Sequence, residues 1–437
     1  MAILDVVFGR PLASGEASGE KIGPAVGIPI FGLDALSSAA YGPEACLTLL
    51  IPLGLPGVHC IVPLSLAIVA LLTIVFFSYR QTIHAYPDGG GSYTVARENL
   101  GDRAGLLAAA ALMIDYILVV AVGISAGVGA LVSAVPSLHP HMLVICLGIL
   151  LAITLVNLRG VKDSGGAFMY PTYLFTGTML IVIAIGAWKV LAAGAGGHPA
   201  PVVAPPIPAA PTEALGLWLL LRAFASGCTA LTGVEAVSNG VQAFRTNKDA
   251  QRTLTAIIGL LIILLAGIAW LVSAYGIVAT DPDGTHYESL LSLLVGAVVG
   301  KGIFYYITIA GILLVVCLSA NTAFADFPRL CRIVAHDDYL PHSLSARGRR
   351  LVFTEGIWAL AFFAALLLIV FGGVTDRLIP LFAIGAFLAF TLSQSGMVAH
   401  WKRTGGPGSA QSMLVNGLGA LTTGITVIVV LVAKFSE

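Results

Sequence analysis

The sequence contains two polar segments within stretches that are otherwise apolar, Asp34-Ala-Leu-Ser-Ser-Ala-Ala-Tyr-Gly-Pro-Glu44 and Thr229-Ala-Leu-Thr-Gly-Val-Glu-Ala-Val-Ser-Asn-Gly240. When Asp34 is laid on Thr229, Ala-Leu-Ser-Ser falls on Ala-Leu-Thr-Gly. Such segments at matching places in two halves of a membrane protein are typical of broken helices, which expose carbonyl groups and half-helix ends near the bilayer midplane. Gly42 or Gly240 alone is equally well explained as a close-packing contact between helices. The two segments together predict a pair of broken helices.

The composition is that of a membrane protein. Of the 437 residues, 58% are hydrophobic and 10% are charged, whereas soluble domains typically carry about 25% charged residues. The 22 basic residues are matched by 22 acidic ones, which argues against a nucleic-acid-binding protein that relies on a large positive field. Lipid-embedded helices tolerate 50 glycines and 22 prolines only where protein or a water-filled cavity satisfies the freed backbone groups. A transporter or a channel fits this composition.

Eleven stretches are apolar over the roughly 20 residues that cross a bilayer. They lie near residues 27–55, 60–80, 104–134, 140–158, 169–193, 214–240, 252–279, 300–326, 356–373, 378–400 and 413–433. Each polar segment lies in the first span of a block of five spans. Because five is an odd number, the second block begins on the opposite side of the membrane, and the two blocks have opposite orientations. We therefore predict an all-α polytopic membrane protein with a cytoplasmic tail (1–26), a transporter core (27–400) of two inverted repeats (27–193 and 214–400), and a final part (401–437) that holds a loop and the eleventh span.

The basic residues indicate an orientation. With the N-terminus in the cytoplasm, the segments on that side hold 17 of the 22 Lys and Arg residues. The other five are Lys189, Arg222, Lys301, Arg377 and Lys434. Because cytoplasmic loops are enriched in Lys and Arg, the sequence predicts a multi-pass protein of the cell membrane with a cytoplasmic N-terminus.

Three acidic residues, Asp34, Asp115 and Glu235, fall inside predicted spans without an evident basic partner in the same spans. A charge at the centre of a membrane helix costs at least about 2.5–3.5 kcal/mol, so such an acid must be protonated, hydrated or neutralised by a bound cation. This is the requirement of a cation or proton site. The alternatives are a helix cap for Asp34, a structural hydrogen bond for Glu235, a solvated interfacial position for Asp115 and an interfacial aromatic role for Tyr41. Glu44, closer to the outer end, is expected to be hydrated.

Other motifs do not indicate an enzyme. Asp88-Gly-Gly-Gly-Ser-Tyr93 has neither a following Gly-Lys-Ser/Thr nor a preceding strand, so it fits a re-entrant turn better than a phosphate-binding loop. The sequence has no Ser-His-Asp order and no His-Glu-x-x-His motif, and its six cysteines show no Cys-x-x-Cys spacing. We expect no catalytic residue, no zinc and no resident cofactor. A passive channel is disfavoured because no short filter sequence repeats between the spans.

Several phrases resemble one known superfamily. They are Tyr86-Pro-Asp-Gly-Gly-Gly-Ser-Tyr93 before the third span, Asn321-Thr-Ala-Phe-Ala-Asp-Phe-Pro-Arg329 at the end of the eighth and Leu392-Ser-Gln-Ser-Gly396 in the tenth. With them the chain resembles, over almost its whole length, the amino acid–polyamine–organocation superfamily, whose LeuT-type fold has five-plus-five inverted repeats with broken first and sixth helices. Phe31-Gly-Leu-Asp-Ala-Leu-Ser-Ser-Ala-Ala-Tyr-Gly42 and Leu231-Thr-Gly-Val-Glu235 are most similar to the KimA-type branch of the KUP potassium transporters.

The resemblance implies a set of site residues. In the potassium branch an aspartate and a tyrosine of the first span, an aspartate of the third, and a threonine and a glutamate of the sixth handle cations and protons. The predicted substrate- or ion-binding residues here are Asp34, Ser37, Tyr41, Asp115, Tyr116 and Thr232, of which Asp34, Tyr41, Asp115 and Thr232 would ligate an alkali cation; Glu235 is the predicted coupling or gating residue.

Three positions depart from the potassium branch. That branch tends to carry a hydroxyl residue one turn after the third-span aspartate, a second one a turn later, and a tyrosine at the start of the tenth span. Here these positions hold Val119, Gly123 and Phe382. The missing oxygen ligands leave amino acid transport open, although Asp34 at the first break would repel a substrate carboxylate.

We expect a secondary active transporter, with proton-coupled potassium uptake as the first interpretation. Proton-coupled amino acid uptake and a non-transporting membrane sensor are the alternatives. The expected partners are the lipid bilayer, a small cation or an amino acid, the proton, and a second copy of the chain in a homodimer. Nucleic acid is not an expected partner.

Overall fold

The computed structural model describes residues 21–435 except 88, 90, 160–163, 195–197, 209, 283, 285–286 and 347–352. Over these residues the chain is helical, and its one β-contact is an isolated bridge between Ile22 and Phe244. The helices that form the spans are Pro24–Phe31 with Leu33–Thr48 (span 1), Leu55–Ala85 (span 2), Asp102–Ala134 (span 3), Met142–Leu158 (span 4), Ser164–Ala192 (span 5), Leu217–Gly227 with Ala236–Asn239 (span 6), Asn247–Ala274 (span 7), Ile303–His336 (span 8), Thr354–Val370 (span 9), Thr375–Thr404 (span 10) and Ser409–Phe435 (span 11). The all-α polytopic prediction is confirmed.

Length and hydropathy support ten of the eleven predicted spans in the described part of the chain. Nine helices in the described part of the chain are long and apolar enough to cross a membrane, and the two halves of span 1 form a tenth span. Span 9 is an apolar helix of 17 residues, which is the lower limit for crossing a bilayer. The division into tail, core and final part stays a prediction: the first helix begins at Pro24, slightly before the predicted boundary at 27, and residues 1–20 lie outside the described residues.

Span 1 breaks at Gly32, where its two halves meet at an angle of 47°. A Cβ added to Gly32 would lie 2.7 Å from the side chain of Ile257 in span 7, so only glycine lets the bend pack this closely. The break therefore lies before the polar segment that was predicted to be unwound. Residues 34–44 form a continuous part of the helix Leu33–Thr48, and all of them are buried within the protein.

Span 6 is interrupted over a longer stretch. After Leu217–Gly227 the chain forms a 3₁₀ turn over Cys228–Leu231, Thr232 is extended, and Gly233 has a φ of 77° before Ala236–Asn239 begins. A positive φ is natural for glycine and costs other residues about 1–2 kcal/mol.

The positions of the two breaks correct the register of the repeat. Gly32-Leu-Asp34 corresponds to Gly233-Val-Glu235, so Asp34 matches Glu235 rather than Thr229. Each break is thus a glycine followed two residues later by an acid at the start of a half-helix. This correspondence, in two spans of opposite direction, confirms the inverted repeat with broken first and sixth helices.

Gly42 and Gly240 are packing contacts rather than breaks. A Cβ added to Gly42 would lie 3.1 Å from the Cα of Ala230, and one added to Gly240 would overlap the ring of Phe31. The Ser38 hydroxyl donates a hydrogen bond of 2.7 Å to the carbonyl oxygen of Ala230. Spans 1 and 6 therefore touch backbone to backbone close to their breaks.

Two shorter helices occupy equivalent places in the repeats. Ser92–Leu100 lies between spans 2 and 3, and Leu290–Val299 lies between spans 7 and 8. The first follows the glycine-rich motif expected to form a re-entrant turn, of which Asp88 and Gly90 lie outside the described residues.

The basic residues separate to the two ends of the bundle. Arg97 and Arg332 line a cavity at one end, and Arg222 and Arg377 line a cavity at the other. This is the separation that the span count predicts. We name the first the inner end and the second the outer end, after the predicted orientation, which stays a prediction.

Candidate functional site

The three predicted acids are buried where the broken helices meet. Asp34 lies in the first turn of Leu33–Thr48, Glu235 directly precedes the helix Ala236–Asn239, and Asp115 lies within span 3. Their exposed fractions are 5%, 3% and 1% in that order. The alternative of a solvated Asp115 near the membrane interface is therefore wrong.

Each of the three carboxyl groups has a buried oxygen, Oδ1 of Asp34, Oδ1 of Asp115 and Oε2 of Glu235, with no hydrogen-bond partner among the described residues. Glu235 interacts electrostatically with both aspartates, and the two aspartates interact with each other. Like charges at such a site disfavour one another, and buried polar atoms are as a rule hydrogen-bonded. The cluster therefore requires protons or a cation.

The N-terminal ends of the half-helices partly offset the cost of burying the carboxyl groups of Asp34 and Glu235. Asp34 and Glu235 both lie at the N-terminal end of a half-helix, where unpaired backbone N–H groups carry partial positive charge. A Cβ on Gly233 would lie 2.7 Å from Oδ2 of Asp34, so this glycine allows the break of span 6 to contact the carboxyl group of span 1. Asp115 lies within a helix and has no such end to stabilise it.

Hydroxyl groups connect the two broken spans. The hydroxyl oxygens of Tyr41 and Thr232 are 3.3 Å apart, and the Thr232 hydroxyl donates to the Thr229 carbonyl oxygen at 3.0 Å. Tyr41 is 3% exposed, so the alternative of an interfacial aromatic residue is wrong. The Ser37 hydroxyl donates to the carbonyl oxygen of Asp34 at 2.8 Å and keeps its lone pairs as acceptors. The roles of these residues in binding stay predictions.

Tyr116 contacts the second half of span 6. The Asn239 side-chain amide donates to the Tyr116 hydroxyl at 3.3 Å. The other polar atom of that side chain, Oδ1, is buried and has no hydrogen-bond partner in the part of the chain that the structure describes. Asn239 was part of the polar segment but received no role from the sequence, because nothing in its neighbourhood along the chain indicates the contact with span 3.

The three positions that depart from the potassium branch have different neighbours. A Cβ added to Gly123 would lie 3.0 Å from the hydroxyl oxygen of Ser319 in span 8. The Ser319 hydroxyl donates to the Val316 carbonyl oxygen of its own helix at 2.7 Å. Val119 and Phe382 are buried apolar residues, and the Phe382 ring lies 6.4 Å from the ring of Tyr41. All three departures from the potassium branch therefore stand.

Two spaces of different size border the site. A cavity of about 500 Å³ at the inner end is lined by Tyr116, Asn239 and Asp326 among others. Toward the outer end, the space next to Tyr41 and Glu44 is about 10 Å³, which is about the room that one water molecule needs. More open space therefore borders the site at the inner end than next to Tyr41 and Glu44.

Glu44 lies beside the small space toward the outer end. It is 9% exposed rather than hydrated as expected, because a segment distant in sequence covers it. The Tyr287 hydroxyl donates to Oε1 of Glu44 at 3.0 Å, and the backbone N–H of Leu290 donates to Oε2 at 3.2 Å. Leu290 begins the helix Leu290–Val299, so a carboxyl group of span 1 caps a helix of the second repeat. Next to this contact, the backbone N–H of Ser289 donates to the hydroxyl of Ser133 at 2.8 Å.

We expect Tyr287→Phe to weaken these contacts of Glu44. The change removes one of the two hydrogen bonds that Glu44 accepts here, which should lower the stability of the folded protein by about 1 kcal/mol. The midpoint of thermal unfolding in detergent measures the effect. Tyr306→Phe is the matched control because Tyr306 is 51% exposed. Equal midpoints for the two variants would contradict the role of the Tyr287 hydroxyl.

Comparisons with known proteins agree with this architecture. The profile of a family described as amino acid permease matches residues 30–435. The potassium transporter KimA of Bacillus subtilis (strain 168) is 41% identical over 432 residues, which cover 98% of this chain and 70% of that protein. A full-length match to a permease family, in a chain with broken spans 1 and 6, identifies a permease rather than an enzyme. The chain belongs to the amino acid permease family of the amino acid–polyamine–organocation superfamily.

Proposed function

We propose that the protein is a secondary active transporter that takes up potassium ions coupled to proton influx. The observation that carries the proposal is the meeting of Asp34, Asp115 and Glu235 at the two breaks, each with an unpartnered carboxyl oxygen. Hard cations prefer oxygen ligands, and the hydroxyls of Tyr41 and Thr232 lie between the same spans. The 41% identity to a protein named as a potassium transporter supports the choice of cation.

The number of acids suits transport of a cation together with a proton. One potassium ion bound between Asp34 and Asp115 would neutralise one carboxylate and be stabilised by the second. A proton on Glu235 would remove the repulsion that this group exerts on both aspartates. Because three carboxyl groups can hold more than one positive charge, the cation and the proton need not displace one another. Glu235 is the coupling residue in this scheme.

The proposal also includes the orientation of the protein in the membrane and its oligomeric state. A cytoplasmic N-terminus is supported by the 17 of 22 basic residues on that side. A homodimer in the lipid bilayer is the expected assembly.

A second candidate is proton-coupled amino acid uptake. It is favoured by the description of the matched family and by apolar residues at Val119 and Phe382, where oxygen ligands were expected. Against it stands Asp34 in the first turn of Leu33–Thr48, because the backbone amides of a half-helix end that would bind a substrate carboxylate lie beside a fixed acid.

Purified protein in liposomes separates the two candidates. We expect an inward proton gradient to drive accumulation of rubidium, used as a tracer for potassium, and collapse of that gradient to reduce the uptake. Accumulation of a radiolabelled amino acid without any rubidium flux would show that the potassium interpretation is wrong. Rubidium uptake that is indifferent to the gradient would instead indicate a uniporter and remove the coupling role of Glu235.

A further inference from the structure

Asp326 is a largely buried acid that the proposed function leaves unused. It belongs to span 8, in the motif Asn321–Arg329, and its side chain is 16% exposed. It lines the inner cavity of about 500 Å³ together with Tyr116 and Asn239. The hydrogen bond between those two residues joins span 3 to the second half of span 6, so Asp326 lies where these parts of the site meet the cavity.

Asp326 also interacts with two of the buried acids. Its carboxyl group interacts electrostatically with Asp34 and Glu235, and it also interacts with Tyr116. Asp34 and Glu235 are at least nine-tenths buried, and each has an oxygen without a hydrogen-bond partner among the described residues. A cation that moves from these two groups toward the inner cavity therefore approaches the charge of Asp326.

Arg329 competes for the same carboxyl group. Its Nη1 lies 3.6 Å from Oδ1 of Asp326, its side chain is 62% exposed, and it lines the same cavity. A distance of 3.6 Å is too long for a hydrogen bond, and ion pairs with an exposed partner are weak. A cation in the cavity can therefore displace the guanidinium group without breaking a buried contact.

We propose that Asp326 binds the transported cation transiently between the buried acids and the inner cavity, and that Arg329 takes the place of the cation once it has left. The inference rests on the proposed cation transport. It assigns to Asp326 a separate cation-binding step at one end of the pathway, so its signature is a change in apparent affinity on one side of the membrane only.

Rubidium uptake in right-side-out and in inverted membrane vesicles tests this role, because the two preparations present opposite ends of the protein to the medium. We expect Asp326→Asn to raise the half-saturating rubidium concentration about tenfold, or about 1.4 kcal/mol, in the preparation that exposes the inner cavity. In the other preparation the value should stay within about twofold of wild type. Arg329→Gln removes the competitor and should lower the half-saturating concentration in the first preparation only. The opposite directions of the two shifts distinguish this role from general destabilisation.

Asp338→Asn is the matched control. Asp338 lies at the same end, its side chain is 82% exposed, and its φ of 64° is one that asparagine tolerates. Should Asp326→Asn not accumulate in the membrane, Arg329→Gln still tests the inference, because it alters an exposed side chain. Wild-type vesicles without rubidium flux would overturn the proposed function. Wild-type flux with unchanged affinity in the variants, or with equal shifts in both preparations, would overturn the role of Asp326 alone.

Discussion

Asp34→Asn should reduce cation uptake about 100-fold or more while the protein still folds. The substitution keeps the size of a side chain that is 5% exposed and removes its negative charge. A lost charge next to a bound cation in a site of low dielectric constant is worth several kcal/mol, and about 2.7 kcal/mol already corresponds to 100-fold. Initial rates of rubidium uptake into liposomes, normalised to the amount of folded protein, measure the effect.

Two further measurements make this prediction specific. Potassium should raise the thermal unfolding midpoint of the wild-type protein, because a ligand stabilises the state that binds it, and should no longer do so after Asp34→Asn. Asp102→Asn is the control: Asp102 has a side chain that is 64% exposed and pairs with Arg97, and its loss should leave uptake near wild type. Normal uptake by Asp34→Asn would remove Asp34 from the site.

Gly233→Ala should abolish transport by a different route. Gly233 has a φ of 77°, a conformation that costs alanine about 1–2 kcal/mol. The added Cβ would also lie 2.7 Å from the backbone nitrogen of Ala35 and from Oδ2 of Asp34. The break of span 6 must then move away from span 1, which separates the acids that the site requires. We expect a lower unfolding midpoint and little uptake per folded molecule.

Gly259→Ala is the opposite case and serves as the control. Gly259 lies within the helix Asn247–Ala274, and a Cβ there would meet no atom within 4 Å. Alanine is favoured over glycine inside a helix by roughly 0.5–1 kcal/mol, so this variant should be as stable as the wild type or more stable. Equal stability and uptake for the two alanine variants would contradict the importance of the positive φ.

Hydropathy and residue type were enough to predict the membrane spans and the buried acids. The length of each apolar stretch predicts a span. The cost of a charge in lipid marks the three acids inside the spans as candidate site residues. The position of the first break could not be predicted from the same signals. The segment from Asp34 to Glu44 has the composition of an unwound stretch, yet it remains helical because Gly42 and Ser38 lie against Ala230 of span 6.

The sequence also did not indicate residues whose surroundings depend on contacts with distant parts of the chain. Glu44 is buried because Tyr287 and Leu290 cover it, at separations of 243 and 246 residues. Ser319 of span 8 likewise lies against Gly123 of span 3, a contact that the sequence did not indicate. The position of Gly233 relative to Gly32 was available in the sequence as a repeated glycine-x-acid pattern, but only the observed breaks show which register of the repeat applies.

Asp34 and Glu235 correspond across the repeat, but the helices that hold them differ in length. Asp34 belongs to a half-helix of 16 residues, whereas Glu235 precedes one of four residues that gives way to another 3₁₀ turn. A helix that short closes few of its own hydrogen bonds and resists distortion poorly. The half-helix of span 1 that carries Asp34 is therefore expected to be more rigid than the short helix of span 6 that follows Glu235. When the protein changes conformation, we expect the surroundings of the Glu235 carboxyl group to change more than those of Asp34. Such a change would suit the proposed role of Glu235, in which it accepts a proton in one state and releases it in the other.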